Sequence, residues 1–174
     1  MGAVLEKASC DVAVLVARED QPIVIGPDQA VLVPFGGAEH DWGALELGAW
    51  IASVNGAPLK LLGAAADGQG RDASRLLADA ALLVQRFTAV ESEPIIAEPG
   101  REGVVSAAQG AGLLVIGLSD RWRREGLGPT RSEIAQAAPA PILFVRRGSR
   151  PGALAARGDV TRFAWSSAAA GRPG

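Results

Sequence analysis

Short, continuously apolar runs alternate along the chain with stretches whose apolar residues fall at helical spacing. The strand-length runs are Val12–Val16, Pro22–Ile25, Val31–Phe35, Leu59–Ala64, Pro94–Ala97, Leu113–Leu118 and Ile142–Val145. Most are apolar at nearly every position, which suits strands covered on both faces. Helical spacing predicts helices over Asp41–Ser53 (Trp42, Leu45, Ala49, Ala52), Asp72–Phe87 (Leu76, Ala80, Leu83, Val84, Phe87), Glu102–Gln109 (Val104, Val105, Ala108) and Arg131–Ala138, the last ending at Pro139. Strand and helix in alternation read as an α/β fold, a parallel sheet with right-handed crossovers.

The two ends depart from this rhythm. From Arg146 onward the chain turns to Arg, Gly, Ala, Ser and Pro, so 148–174 is expected to be a flexible tail. At the other end, Val4–Leu15 lies over Ile134–Val145 without gaps. Ala8-Ser9-Cys10-Asp11-Val12-Ala13-Val14-Leu15 aligns with Ala138-Pro139-Ala140-Pro141-Ile142-Leu143-Phe144-Val145. Each copy reads as a short helix, a turn and a strand, so residues 1–20 form a helix–strand unit resembling the end of a preceding domain. Residues 21–29 then serve as a linker to a main domain over 30–147. Val12–Val16 is apolar on both faces and is expected to dock on a sheet edge, its natural partner being Ile142–Val145.

Composition narrows the functional classes. The 174 residues suit one domain, and 48% apolar with 21% charged residues supports a core. Seventeen basic and nineteen acidic residues leave a net charge of −2, which argues against nucleic acid as a partner. A single Cys10 and a single His40 leave no disulfide framework and no multi-histidine metal centre. No apolar run approaches the roughly 20 residues that span a bilayer, and Glu6, Lys7 and Asp11 interrupt any signal-peptide core. The chain is expected to be cytoplasmic and not to insert in a membrane itself.

In an open parallel sheet, ligands bind beyond the carboxyl ends of the strands, where the strand order reverses. Two strand ends qualify: Val33-Pro34-Phe35-Gly36-Gly37-Ala38-Glu39-His40, and Val115-Ile116-Gly117-Leu118-Ser119-Asp120 before a loop rich in Arg and Gly. Arg121, Arg123 and Arg124 supply guanidiniums for an anion; the plainer reading is a solvated basic loop paired with Asp120, Glu125 and Glu133. Trp122 reads as a plug over the crevice or a contact for another chain. His40 is expected to be an exposed first-turn residue, with a general base or pH sensor as the alternative. Cys10 is expected to be a buried structural thiol. Trp42 and Trp50, on one helix, are expected to pack on the sheet or under a partner. The chain carries no nucleophile elbow and no phosphate-binding P-loop, and no enzyme is expected.

These residues carry a family resemblance. Val31-Leu32-Val33-Pro34 with its glycine turn, Leu114-Val115-Ile116-Gly117, and Ala138-Pro139-Ala140-Pro141-Ile142-Leu143-Phe144-Val145 resemble the opening and closing thirds of a universal stress protein domain over about residues 30–147. The resemblance implies a five-stranded parallel sheet of order 3-2-1-4-5 with helices on both faces. It also implies pairing through the last strand (Ile142, Leu143, Phe144, Val145), as a homodimer or with a tandem domain. The stretch from Gly117 to Pro129 resembles the version in cytoplasmic tails of bacterial cation/proton antiporters, which implies a regulatory domain tethered to the inner membrane in a larger protein.

The family's nucleotide motif is Gly, two residues, Gly, nine residues, then Gly-Ser or Gly-Thr. Gly117 matches, Asp120 stands where the second Gly belongs, and Thr130-Arg131 replaces the last pair. Gly36 stands where the family places an acidic residue at the end of the first strand. Thr130-Arg131-Ser132-Glu133 also reads as a capping box that satisfies a helix start a phosphate would need. The candidate ligand residues are therefore Gly36, Gly37, Gly117, Ser119, Arg121, Arg123, Arg124 and Thr130, around a degenerate site. No cofactor is assigned, and ATP or another nucleotide is the ligand class that the departures weigh against. The reading is a non-enzymatic sensory or regulatory domain. The alternatives are a ligand-free dimerisation or interaction module, and an ATP-binding or ATP-hydrolysing domain.

Overall fold

A computed structural model describes residues 8–65, 73–119, 121–149 and 152–154. Its strands are β1 (Val12–Val16), β2 (Ala30–Pro34), β3 (Leu59–Ala64), β4 (Ser92–Ala97), β5 (Ala111–Leu118) and β6 (Ile142–Arg146). The helices are α1 (Glu39–Asn55), α2 (Ser74–Thr88), α3 (Arg101–Ala107), α4 (Trp122–Glu125) and α5 (Pro129–Ala137). One six-stranded sheet runs in the order β1-β6-β5-β2-β3-β4. From β2 onward every pairing is parallel, and those five strands follow the expected 3-2-1-4-5 order. The sixth strand, β1, adds antiparallel to β6.

The alternation of side chains along the strands divides the core in two. Val31, Val33, Leu59, Leu61, Leu113, Val115 and Val145 face Leu45, Ala49, Leu77 and Ala80 of α1 and α2. On the other face Leu32, Leu62, Leu114, Ile116, Ile142 and Phe144 pack with Val104 of α3 and Ile134 of α5. Both faces of the central strands are thus buried, which is why β2 and β5 read as unbroken apolar runs.

The docking of Val12–Val16 on Ile142–Val145 is realised within one chain. Val12 pairs with Arg146, Val14 with Phe144 and Val16 with Ile142. The contact extends outward: Ser149 N donates to Ser9 O at 3.0 Å, Gly148 N to Asp11 Oδ1 at 2.6 Å, and Arg146 Nη2 to Ala8 O at 2.6 Å. At the opposite end, Arg18 Nη1 and Gln21 Nε2 both donate to Ala138 O. The helical half of the N-terminal unit lies outside the described residues.

Three expectations need correction. Pro22–Ile25 is not a strand; it crosses the sheet end with Val24 O against Gly112, where any Cβ would meet that carbonyl. Cys10 is exposed, because it lies in the turn that leads into an edge strand. The tail does not begin free at 148: Leu154 is 1% exposed within the α1–α2 core, and residues 148–149 bond to the N-terminal segment. Of the two tryptophans of α1, Trp42 is buried edge-on to Phe35, as expected, and Trp50 is half exposed. No helix among the described residues is long and apolar enough to cross a membrane.

Candidate functional site

The strand order reverses between β2 and β5, so the crevice lies above Pro34 and Leu118. Three pieces of backbone meet there: the turn from β2 into α1, the end of β5, and the first turn of α5. Gly36 is buried, and Gly37 takes φ 81°, a left-handed turn that glycine enters at no steric cost. The turn is held by Asp41 of α1. Its Oδ2 accepts from Gly36 N at 3.0 Å and from Ala38 N at 3.1 Å. The strand end that lacks an acidic residue in sequence thus receives a carboxylate in space, five residues on. That carboxylate satisfies the Gly36 and Ala38 amides of the turn. Burial, partly opposed by His40 and by the two amides, raises the Asp41 pKa above its ordinary value.

Gly117 closes the other side. A Cβ there would meet the His40 carbonyl oxygen and lie 2.6 Å from its carbonyl carbon. This glycine therefore lets the first turn of α1 sit directly on β5. From α5, Arg131 reaches back into the crevice. Its Nε donates to Gly117 O at 3.0 Å, and its Nη2 lies 3.1 Å from His40 Nε2. The same His40 nitrogen lies 3.4 Å from Asp41 Oδ1. His40 and Asp41 side chains are 22% and 11% exposed, so the cluster is largely withdrawn from water. Arg131 from α5 and His40 and Asp41 from α1 thus meet at the strand-end crevice from two elements.

The remaining candidates fare differently. Ser119 is half buried, and its carbonyl accepts from Trp122 N at 3.0 Å in the loop that begins α4. Arg121 and Arg124 are exposed, and Trp122 is half buried. The Arg123 side chain and Asp120 lie outside the described residues. Thr130 does not cap α5. Pro129 starts that helix one residue earlier, Gly128 is its N-cap at φ 76°, and no side chain bonds the cap. Proline's fixed φ is already helical, which moves the start upstream of the hydroxyl. The capping box is therefore corrected. His40 is not an exposed first-turn residue but a half-buried member of the cluster.

Sequence reasoning missed Arg131 as the residue that enters the crevice. The clue was its place in the nucleotide motif, where the family puts a small hydroxyl residue. A long cation there folds back onto the Gly117 carbonyl. Among the described residues no group of His, Cys, Asp and Glu is arranged to hold a metal ion.

No protein-family model matches the chain, and no curated protein does. Solved structures do match. A universal stress protein in complex with cAMP shares 22% identity at a TM-score of 0.55, covering 71% of this chain and 100% of its own. A universal stress protein from Archaeoglobus fulgidus DSM 4304 shares 20% identity at a TM-score of 0.61, covering 83% of this chain and 52% of its own. The cytoplasmic domain of a prokaryotic cation chloride cotransporter shares 14% identity at 0.55, covering 84% of this chain and 57% of its own. The fold is that of the universal stress proteins. This chain spans about half the length of the latter two structures.

Proposed function

We propose that the chain is a non-enzymatic regulatory domain of the universal stress protein type, part of a larger transporter-associated protein, whose nucleotide crevice is closed by its own side chains. The observation that carries this is Arg131 lying across the strand-end crevice, bonded to Gly117 O and facing His40. The residues present do not fit a nucleotide. The β2-end amides are taken by Asp41, and the space above Gly117 is taken by His40 and Arg131.

The pairing of β1 with β6 supports the tandem part of the reading. In sequence Val12, Val14 and Val16 correspond to Ile142, Phe144 and Arg146. Across the ladder Val12 pairs with Arg146, Val14 with Phe144 and Val16 with Ile142. Equivalent residues therefore exchange partners about the Val14–Phe144 pair, the pattern of a two-fold contact between like elements. The cotransporter cytoplasmic domain among the structural neighbours supports the transporter association.

Calorimetry of the purified chain with ATP, AMP and cAMP at neutral pH tests the closed crevice. The expected result is no saturable heat. Low-micromolar ATP affinity, lost on Gly117→Val, overturns the reading in favour of an ATP-binding domain.

A further inference from the structure

The two edges of the sheet are built differently. β4 carries Pro94 and Glu93, the latter paired with Lys60, and proline and charge keep a sheet edge from taking another strand. β1 is Val-Ala-Val-Leu-Val, with neither charge nor proline, and among the described residues its one strand neighbour is β6. It is apolar towards both faces of the sheet, yet Ala13 and Leu15 on one face and Val16 on the other are exposed. The comparison with β6 is direct, because the repeat lays Leu15 over Val145. Val145 is 0% exposed beneath α1, and Leu15 is 47% exposed.

The two-fold relation centred on Val14 and Phe144 extends past the ladder. Ala8 and Ala138 are equivalent in the repeat. Ala8 O accepts from Arg146 Nη2 and Ala138 O from Arg18 Nη1, so each carbonyl meets an arginine at or just past the end of the opposite strand. The outer side of β1 is where a counterpart is due. On the matching side of β6, β5 pairs in parallel with Ile116 opposite Phe144, and α1 and α5 cover the two faces of β6. Carried across the two-fold, those surroundings fall on the outer edge of β1 as a parallel apolar strand with a helix on each face.

We propose that the outer edge of β1 docks a second α/β unit of this fold, joined ahead of residue 1 in a longer polypeptide, which lays a parallel apolar strand along β1 and takes β1 as its own last strand. β1 is then shared by two sheets, antiparallel to β6 and parallel to the incoming strand. A second copy of this chain fits less well. It offers the edge of its own β1 or the guarded β4, and either covers the hydrogen-bonding edge while leaving the Leu15 and Val16 faces without helices. The inference rests on the tandem part of the reading above and not on the closed crevice.

A fusion of residues 21–130 ahead of the whole chain supplies such a unit from this sequence itself. The spacing of the repeat is kept, so residues 1–16 follow residue 130 as 131–146 do in the chain. The expected result is that the added residues fold. Limited proteolysis then leaves the fusion whole, and the β1 amides that do not bond β6 exchange at least about tenfold more slowly than in the chain alone. Leu15→Glu puts a charge on a face that the added unit covers. It should leave the melting temperature of the chain alone nearly unchanged and make the added residues of the fusion digestible. Added residues that fold while β1 exchange is unchanged, or that are indifferent to Leu15→Glu, overturn the proposal and leave the tandem reading standing. Added residues that stay digestible beside an intact chain show that β1 does not complete a unit of this fold, and overturn both. A chain that is by itself a dimer with protected β1 amides gives the edge to a second copy and overturns the proposal as well.

Discussion

The backbone N–H of Leu154 donates to Glu46 Oε2 at 3.2 Å, and the Leu154 carbonyl accepts from Arg147 Nη2 at 3.0 Å. Arg147 and Glu46 themselves lie 3.9 Å apart with both side chains almost buried. A residue eight positions past the last strand is thereby stitched to α1 through both of its backbone polar groups, with its side chain in the core. Leu154→Ala should cost about 2–5 kcal/mol of unfolding free energy, as large-to-small changes at packed sites do. Urea unfolding measures this; a loss under about 0.5 kcal/mol, the range of ordinary surface substitutions, would show that the strap carries no core packing.

Gly117→Ala should destabilise the fold by about 1–3 kcal/mol, because the added carbon runs into the His40 carbonyl and α1 must shift. A thermal melt reads the loss. If Gly117 served only a bound phosphate, the ligand-free melting temperature would not move.

Asp41 gives stability a definite pH slope. Its folded-state pKa lies above the ordinary value of 3.8, chiefly through burial. Between those two values the native state holds more protons than the unfolded chain, so the slope of stability against pH is negative there. The contribution of Asp41 is fully present below the unfolded value and is lost as pH rises through the folded one. Wild type should therefore gain on Asp41→Asn as the medium is acidified from neutrality. Paired urea titrations check this, and a constant difference between the two proteins would contradict it.

Val14→Pro should break the β1–β6 ladder at its centre, where Val14 faces Phe144, since proline lacks an amide and locks φ at about −65°, away from antiparallel strand values. The freed β6 edge is apolar, and light scattering should then show association at concentrations where wild type shows none. A variant that stays the size of wild type would mean that β6 needs no cover.

The fold was legible because burial on both faces leaves its mark locally. β5 shows eight residues from Ala111 to Leu118 with seven of them buried, and β2 is buried at all five of its positions. The two strand ends of the crevice were legible for the same reason: Gly36-Gly37 and Gly117 punctuate apolar runs. Arg131 and Leu154 were not legible as crevice and core residues. Each acts by folding back on an element distant in sequence, Arg131 on Gly117 and Leu154 on Glu46, and nothing in the flanking residues records the landing place. His40 was read alone as an exposed first-turn residue, and Asp41 only as the start of a helix. Their roles come from sharing one nitrogen with an arginine ninety-one residues away. Cys10 failed in the other direction. A small apolar residue before a strand is commonly buried, but this strand is the outermost of the sheet.

Residues 17–29 tether β1 to β2, so the strand that covers β6 is always nearby. A short tether gives an effective concentration on the order of millimolar. A β6 edge offered by a second copy at micromolar concentration is outcompeted about a thousandfold by the strand already attached. The chain is in this sense its own competitive inhibitor of edge-to-edge pairing, and exchange between copies would be limited by the rate at which β1 lets go.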